Sequence, residues 1–239
     1  MRIQYIFLAA ILILCSMSIS AFAEVNVDNH ASGQGWVAKS KVHSDLNLSE
    51  SEKQRYYELG QAYFREKNYE QAHETWQTIA MQGHGGAMHG LGLLFKDVGK
   101  DYEQARDYFM QAAGKQHDPA LYQLGIIYLE GLGVDKDTKK AYYYFDRGVK
   151  AGNRECAFAV GIMYFSGNGL PKSPDSAFNF WKFAAEKGHI EAMYNLGTLY
   201  ESGQGTAQNV SEALLWYRTA ADFGHKQAIL ALDELGAYQ

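Results

Sequence analysis

The sequence has little cysteine, little proline and no excess of positive charge. Its 239 residues include two cysteines and three prolines, so a disulfide scaffold, a zinc site made of thiolates and a proline-rich chain are excluded. The 22 basic residues are outnumbered by 27 acidic ones, which gives a formal charge of −5 and argues against nucleic acid as a partner. The chain does have apolar material, because 47 % of its residues are hydrophobic and 21 % are charged. Such a composition can fold.

The first 23 residues have the pattern of an export signal. Arg2 precedes an apolar run over residues 3–15, and small residues then lead to the triplet Ala-Phe-Ala at 21–23, which is typical of a cleavage site. The apolar run is shorter than the roughly 20 residues that a membrane span needs. We therefore expect a cleavable signal peptide over residues 1–23 and a bacterial protein that is periplasmic or secreted, without stable membrane insertion. An uncleaved anchor is the alternative.

Residues 24–48 show neither helical nor strand periodicity, which indicates a flexible leader. At Ser49 the pattern changes, because Glu52 lies three positions further on and the two residues match a helix capping box. We expect an ordered helical repeat domain over residues 49–239. Once the signal peptide is removed, Cys156 is the one remaining cysteine, so no internal disulfide can form.

From residue 49 onward the sequence repeats itself. A Leu-Gly or Val-Gly pair recurs at spacings of 32, 33, 36, 36 and 36 residues, and its last copy has Asp in place of Gly. An alanine follows each of the first five pairs, and an aromatic residue lies four positions beyond it. Because residues i and i+4 share a helix face, each alanine lets a second helix approach and each ring fills the gap beside it. The alanines are Ala72, Ala105, Ala141, Ala177 and Ala213, and the rings are Trp76, Phe109, Phe145, Trp181 and Tyr217.

Helix boundaries repeat as well. Four residues before each alanine stands a residue that favours the N-cap position, and glycines suit the left-handed position where these helices end. The caps are Asn68, Asp101, Asp137, Ser173 and Asn209, and the glycines are Gly83, Gly152, Gly188 and Gly224. No strand pattern is present. The predicted fold is all-α, a right-handed α-solenoid of about five stacked antiparallel helix pairs with a C-terminal capping helix near residues 227–235.

Three of these units resemble the Sel-one-like repeat (SLR) family, a relative of the tetratricopeptide repeat. They begin at Ala120, Cys156 and Ala192 and read ALYQLGIIYLEGLGVDKDTKKAYYYF, CAFAVGIMYFSGNGLPKSPDSAFNFW and AMYNLGTLYESGQGTAQNVSEALLWY. The first two units have shorter loops and resemble ordinary tetratricopeptide repeats. The resemblance implies an adaptor or scaffold whose concave side, lined by the first helix of each pair, holds a protein partner.

By the same analogy, each first helix presents three positions to the groove. An aromatic residue at the first of these positions is common in the repeat itself, so packing is the alternative interpretation. The groove positions of units three and four are all apolar, which predicts a docking surface for an extended or helical peptide. The residues, unit by unit, are Tyr57, Gln61 and Phe64; His89, Leu93 and Lys96; Tyr122, Ile126 and Leu129; Phe158, Ile162 and Phe165; and Tyr194, Thr198 and Glu201.

The residue patterns of common enzymes and metal sites are missing. His73-Glu74 lacks the second histidine of H-E-x-x-H, and no G-x-S-x-G, S-x-x-K or C-x-x-C occurs. Three G-x-G pairs lack a preceding strand and a third glycine, so they predict turns rather than a phosphate site. Cys156 stands where other units have alanine, which favours a buried small side chain. We predict no cofactor and no metal.

Histidines recur at one position of the repeat, the turn before the next pair. A position that accepts His or Asn in every unit predicts helix capping or packing rather than proton transfer. The residues are His84, His117, His189 and His225, with Asn153 in the remaining unit.

The predicted function is a non-enzymatic exported scaffold, an adaptor or regulator of an envelope process, that holds another protein or peptide in its groove. A second hypothesis is an immunity protein that neutralises a secreted toxin, a role of some exported members of the resembling family. A third is a hydrolase of cell-wall or β-lactam substrates. Cysteine-rich members suggest it, but the cysteine pair of each of their repeats is absent here.

Overall fold

The structure is a computed structural model that describes residues 46–236. The predicted signal peptide at 1–23 and all but the end of the predicted leader at 24–48 lie outside the described residues. Within 46–236 the chain forms eleven α-helices, one π-helical segment and no strand. The elements are α1 (Glu50–Arg65), α2 (Tyr69–Ala80), α3 (Gly85–Leu93), a π-helical segment (Leu94–Gly99), α4 (Tyr102–Gly114), α5 (Pro119–Glu130), α6 (Thr138–Lys150), α7 (Arg154–Ser166), α8 (Pro174–Glu186), α9 (Ile190–Ser202), α10 (Val210–Asp222) and α11 (Lys226–Glu234).

Consecutive helices pack against each other along the whole of this range, which is the arrangement of a solenoid. Units one to five are the pairs α1–α2, α3–α4, α5–α6, α7–α8 and α9–α10, and α11 covers the last pair. The odd-numbered helices are the first helices of their pairs, and the even-numbered helices are the second. The predicted all-α solenoid of stacked helix pairs is confirmed.

The core is built from the repeating alanine and ring. All five predicted alanines have no exposed surface, and the five rings are at most 4 % exposed. The alanines at the start of the later first helices, such as Ala120 and Ala192, are equally buried, and Cys156 takes their place in α7. Each buried ring of this size contributes about 1.5–3 kcal/mol to folding, so the repeat of small and large residues accounts for the stacking.

All five predicted N-cap residues stand at the N-cap position, and four of them make a side-chain capping bond. The side chains of Asp101, Asp137, Ser173 and Asn209 each accept a hydrogen bond from a backbone N–H of the first helical turn. Asn68 stands at the N-cap of α2 as predicted, but its side chain makes no such bond and its Nδ2 donates to Glu66 Oε2 at 3.3 Å. The connection from α1 to α2 is short, and this brings Glu66 within reach of Asn68.

The histidines cap the helices that begin the next unit. Nδ1 of His84, His189 and His225 accepts the backbone N–H of Ala87, Ala192 and Ala228 at 3.1–3.2 Å. Asn153 does the same for Cys156 at 2.8 Å. The predicted capping role is therefore confirmed for these residues.

Left-handed residues end the helices as the glycine pattern predicts. Gly83, Gly152, Gly188 and Gly224 have φ between 81° and 86°. Unit two has Gln116 in that position with φ 60°. The G-x-G pairs are turns, since all six of their glycines have positive φ.

Candidate binding groove

The groove positions inferred from the resemblance lie on the first helices, except that Lys96 falls in the π-helical segment. Their side chains are half-buried or exposed, and none is fully buried. Ile162, at the centre of α7, is 45 % exposed. Half-buried aromatic and aliphatic side chains thus recur on the first helices from unit one to unit five.

The aromatic residues of the groove have a packing role as well. Phe165 lies 5.2 Å from Trp181, and five others contact the buried ring of their own unit with ring centroids 5.5–6.4 Å apart. The pairs are Phe64 with Trp76, His89 with Phe109, Tyr122 with Phe145, Phe158 with Trp181 and Tyr194 with Tyr217. One face of each ring therefore belongs to the core, which agrees with the packing interpretation, and the remaining surface is open to a partner.

Several of these rings also contact the capping histidine that follows them. Phe158 stacks on His189 with centroids 4.2 Å apart, and Tyr194 stacks on His225 at 4.7 Å. Tyr57 and His84 are 5.2 Å apart and tilted. Sequence reasoning missed this link between groove and cap, although the two positions are 31 residues apart in both unit four and unit five.

A cavity of about 370 Å³ lies between α1 and α3. Sequence reasoning emphasised units three and four, whereas this cavity lies in units one and two. It also missed three of the lining residues. The α1–α3 cavity is lined by the predicted groove residues Tyr57, Gln61, Phe64, His89 and Leu93, together with Arg65, Trp76 and Gly90.

The opposite end of the groove is polar and internally bonded. Tyr217 Oη donates to Glu201 Oε2 at 2.6 Å, and Thr198 Oγ1 donates to the Asn195 carbonyl at 2.7 Å. Burial, together with the bond to this carboxylate, raises the pKa of Tyr217. Glu201 and Thr198 therefore have structural partners in addition to their groove positions.

The thiol and the half-buried imidazole that a hydrolase could use, Cys156 and His89, both have strongly shifted pKa values. Burial raises the pKa of the Cys156 thiol to about 12, so the nucleophilic thiolate is not formed at neutral pH. Burial, His117 and Lys96 lower the pKa of His89 to about 4. No group of three or more metal-binding side chains lies within residues 46–236.

None of the helices in the described part of the chain is long and apolar enough to cross a membrane.

Comparison with known structures agrees with this architecture. A Sel1 repeat protein from Oxalobacter formigenes has a TM-score of 0.72 and 27 % identity, over 77 % of this chain and 78 % of its own. A protective antigen with an SLR fold from uropathogenic Escherichia coli has a TM-score of 0.69 and 28 % identity, over 79 % of this chain and 44 % of its own. The chain thus spans less than half of that antigen. An immunity protein from Pseudomonas aeruginosa has a TM-score of 0.54 and 19 % identity, over 77 % of this chain and 69 % of its own, and this likeness shows a shared fold.

No curated protein matches the sequence. The sequence model of the Sel1 repeat family matches this chain five times, over residues 46–84, 78–117, 118–153, 154–189 and 190–225. The first two matches cover the units that were likened to ordinary tetratricopeptide repeats, so their shorter loops do not set them apart. Proteins with this repeat generally mediate interactions between proteins. By its five repeats and its fold, the chain belongs to the Sel1 repeat family.

Proposed function

We propose that this protein is a non-enzymatic scaffold that holds another protein or a peptide against its first helices. The observation that carries the proposal is the row of half-buried or exposed apolar side chains at the groove positions, which runs from unit one through unit four and ends at Tyr194 in unit five. Exposed apolar surface that recurs along one side of a solenoid is typical of a docking surface. We propose further that the protein is exported to the periplasm and acts there in an envelope process.

The binding surface is tested with two matched substitutions. Ile162→Asp places a carboxylate at a groove position on α7. The control, Leu215→Asp, places one outside the groove on the second helix α10, where Leu215 is 55 % exposed. Both side chains point largely into solvent, so both variants should keep the helix content and thermal midpoint of the wild type, as circular dichroism would show.

Affinity capture from envelope extract then shows whether a partner binds the groove or the surface of α10. A partner should be captured by the wild type and by Leu215→Asp but lost with Ile162→Asp, and once purified it should bind the groove variant at least about tenfold more weakly. Equal capture by all three proteins would contradict the groove assignment.

Export has its own test. Mass spectrometry of the protein recovered from periplasmic extract should give a chain that begins at Glu24. Recovery of the full-length chain from the cytoplasm would contradict this part of the proposal.

The immunity hypothesis remains a separate prediction, because the Pseudomonas aeruginosa immunity proteins share the fold at 19–20 % identity. It requires a toxin whose effect on cells is relieved when this protein is co-expressed in the same compartment.

A further inference from the structure

We propose that the α1–α3 cavity receives an apolar side chain of the bound segment, and that this segment carries a carboxylate next to that side chain. The inference rests on the groove function proposed above and specifies the chemistry of its ligand. Two features of the cavity support it: its apolar lining and an arginine at its wall that has no ion pair within the described residues.

The cavity has an apolar floor and apolar walls. The floor is Trp76, which is 2 % exposed and whose Nε1 donates to the Tyr57 carbonyl at 3.2 Å. Gly90 lets α3 pack closely against this ring, since a Cβ at that position would lie 2.8 Å from it. The other units have Glu58, Gln123, Ala159 and Asn195 at the position of Gly90. Tyr57, Phe64 and Leu93 form the walls, and a space of about 370 Å³ accommodates a large apolar side chain.

His89 lines the cavity as a neutral ring, because burial and the neighbouring His117 and Lys96 lower its pKa to about 4. The imidazole therefore adds no charge of its own at neutral pH, and the charge beside the cavity comes from other side chains.

The charges beside the cavity favour an acidic ligand. Arg65 lines it and forms no ion pair with any residue between 46 and 236, its Nε donating to the Gln61 carbonyl at 3.3 Å. Lys96 is close enough to lower the pKa of His89. Its ammonium group donates to Gln123 Oε1 at 2.7 Å and lies 3.4 Å from Asp97. Lys96 is thus already paired with a carboxylate, and Arg65 is the cation of the cavity lining without an ion pair in the described part of the chain.

The rest of the groove gives the ligand a direction. Apolar positions follow in units three and four, and the carboxylate of Glu201 lies in unit five. A bound segment with its carboxylate over α1 and its apolar residues over α5 and α7 would match this order of charge, and the reverse orientation would place like charges together.

A phage-displayed library of random twelve-residue peptides, selected on the immobilised full chain, provides the probe. Enriched peptides are synthesised and their affinities are measured by fluorescence polarisation for the wild type, Arg65→Glu, Ile162→Asp and Arg55→Glu. Arg55 is an exposed arginine on the same helix that does not line the cavity, so Arg55→Glu is the matched charge control.

The expected result is a motif with Asp or Glu beside an aromatic or aliphatic residue. The affinity of peptides with this motif should fall about tenfold for Arg65→Glu and stay unchanged for Arg55→Glu. Replacing the acidic residue of the peptide by Lys should restore its binding to the Arg65→Glu variant. Peptides that depend on Ile162 but show no acid preference, or that ignore Arg65→Glu, would overturn this inference and leave the groove function standing. If no enriched peptide is weakened by Ile162→Asp, both proposals fail.

Discussion

At the scale of single residues, the contact between a glycine and a ring sets the distance between the two helices of a pair. Gly125 on α5 faces Phe145 on α6, and a Cβ at Gly125 would collide with that ring. Phe145 has no exposed surface, so it cannot turn aside without disturbing its neighbours. The repeated Leu-Gly pair is therefore a packing requirement of the repeat.

We expect Gly125→Ala to lower the free energy of unfolding by about 1–3 kcal/mol, because overpacking a core outweighs the gain in helix propensity. Gly114→Ala is the control, since Gly114 ends α4 with no atom within 4 Å of its added Cβ. That variant should be neutral or gain up to about 1 kcal/mol. Urea unfolding of both variants gives the difference, and equal midpoints would show that the contact does not hold the helices apart.

A second residue-scale prediction concerns the left-handed residue after each second helix. Gln116 has φ 60° where Gly152 has φ 86°, and a side chain in this region is strained. Gln116→Gly should therefore stabilise the protein by about 0.5–1 kcal/mol, and the reciprocal change Gly152→Gln should destabilise it by a similar amount. Thermal denaturation of the two variants would contradict the argument if both shifted the midpoint in the same direction.

At the scale of helices, the histidine caps make the stability of the first helices depend on pH. Nδ1 of His189 accepts the first-turn N–H of Ala192, and the same ring stacks on Phe158. The bond requires that Nδ1 carry no proton. Burial lowers the pKa of His189 from its ordinary 6.5, so the folded protein favours the neutral ring. Its contribution to stability is present above pH 6.5 and is lost as the pH falls from there towards the lowered pKa.

His189→Asn tests this coupling, because Asn153 caps α7 at the same position of the repeat. The variant should match the wild type at pH 7.5 and lose less stability than the wild type between pH 7.5 and pH 5. His189→Ala should instead lose about 0.5–2 kcal/mol at pH 7.5, since the cap itself is gone. The measurement is urea unfolding at both pH values. A wild type and a His189→Asn variant with parallel pH dependence would rule out His189 as the titrating group.

Helix starts and core positions were predictable where the signal is local. Ser173 and Pro174 stand in the order that begins α8, and the alanine and ring four residues apart identify a buried face without any knowledge of the partner helix. Asn68 stands at the predicted N-cap, but its side chain bonds to Glu66 instead of the first helical turn, and this depends on the geometry of the short connection. The π-helical segment at Leu94–Gly99 left no signature in the periodicity.

The α1–α3 cavity could not be predicted from the sequence pattern, because it depends on contacts between different helices. Its lining joins side chains of α1 and α2 to Gly90 of α3, which packs closely against Trp76. The substitution pattern at this position of the repeat was visible in the sequence, but its consequence depends on how α2 packs between α1 and α3. The groove positions were inferred from the family resemblance, and the structure adds the depth and charge that separate units one and two from the rest.

At the scale of the whole molecule, each helix of the solenoid packs mainly against its neighbours in the chain. Stability in such an array is close to a sum of local terms. A defect near one end should therefore loosen that end and leave distant units protected. This matters for function, because the α1–α3 cavity and α11 are at opposite ends of the array of units.

Two chemically identical substitutions test this independence. Leu232 on α11 is 1 % exposed and Leu91 on α3 has no exposed surface, so each change to alanine should cost about 2–5 kcal/mol locally. Hydrogen exchange should show that Leu232→Ala loosens α10 and α11 while α1 to α4 keep their protection, and that Leu91→Ala does the reverse. Because the cavity lies in the units that Leu232→Ala leaves intact, that variant should still bind peptides selected on the wild type, whereas Leu91→Ala should weaken them. A uniform loss of protection along the chain in both variants would mean that the solenoid unfolds as one cooperative unit.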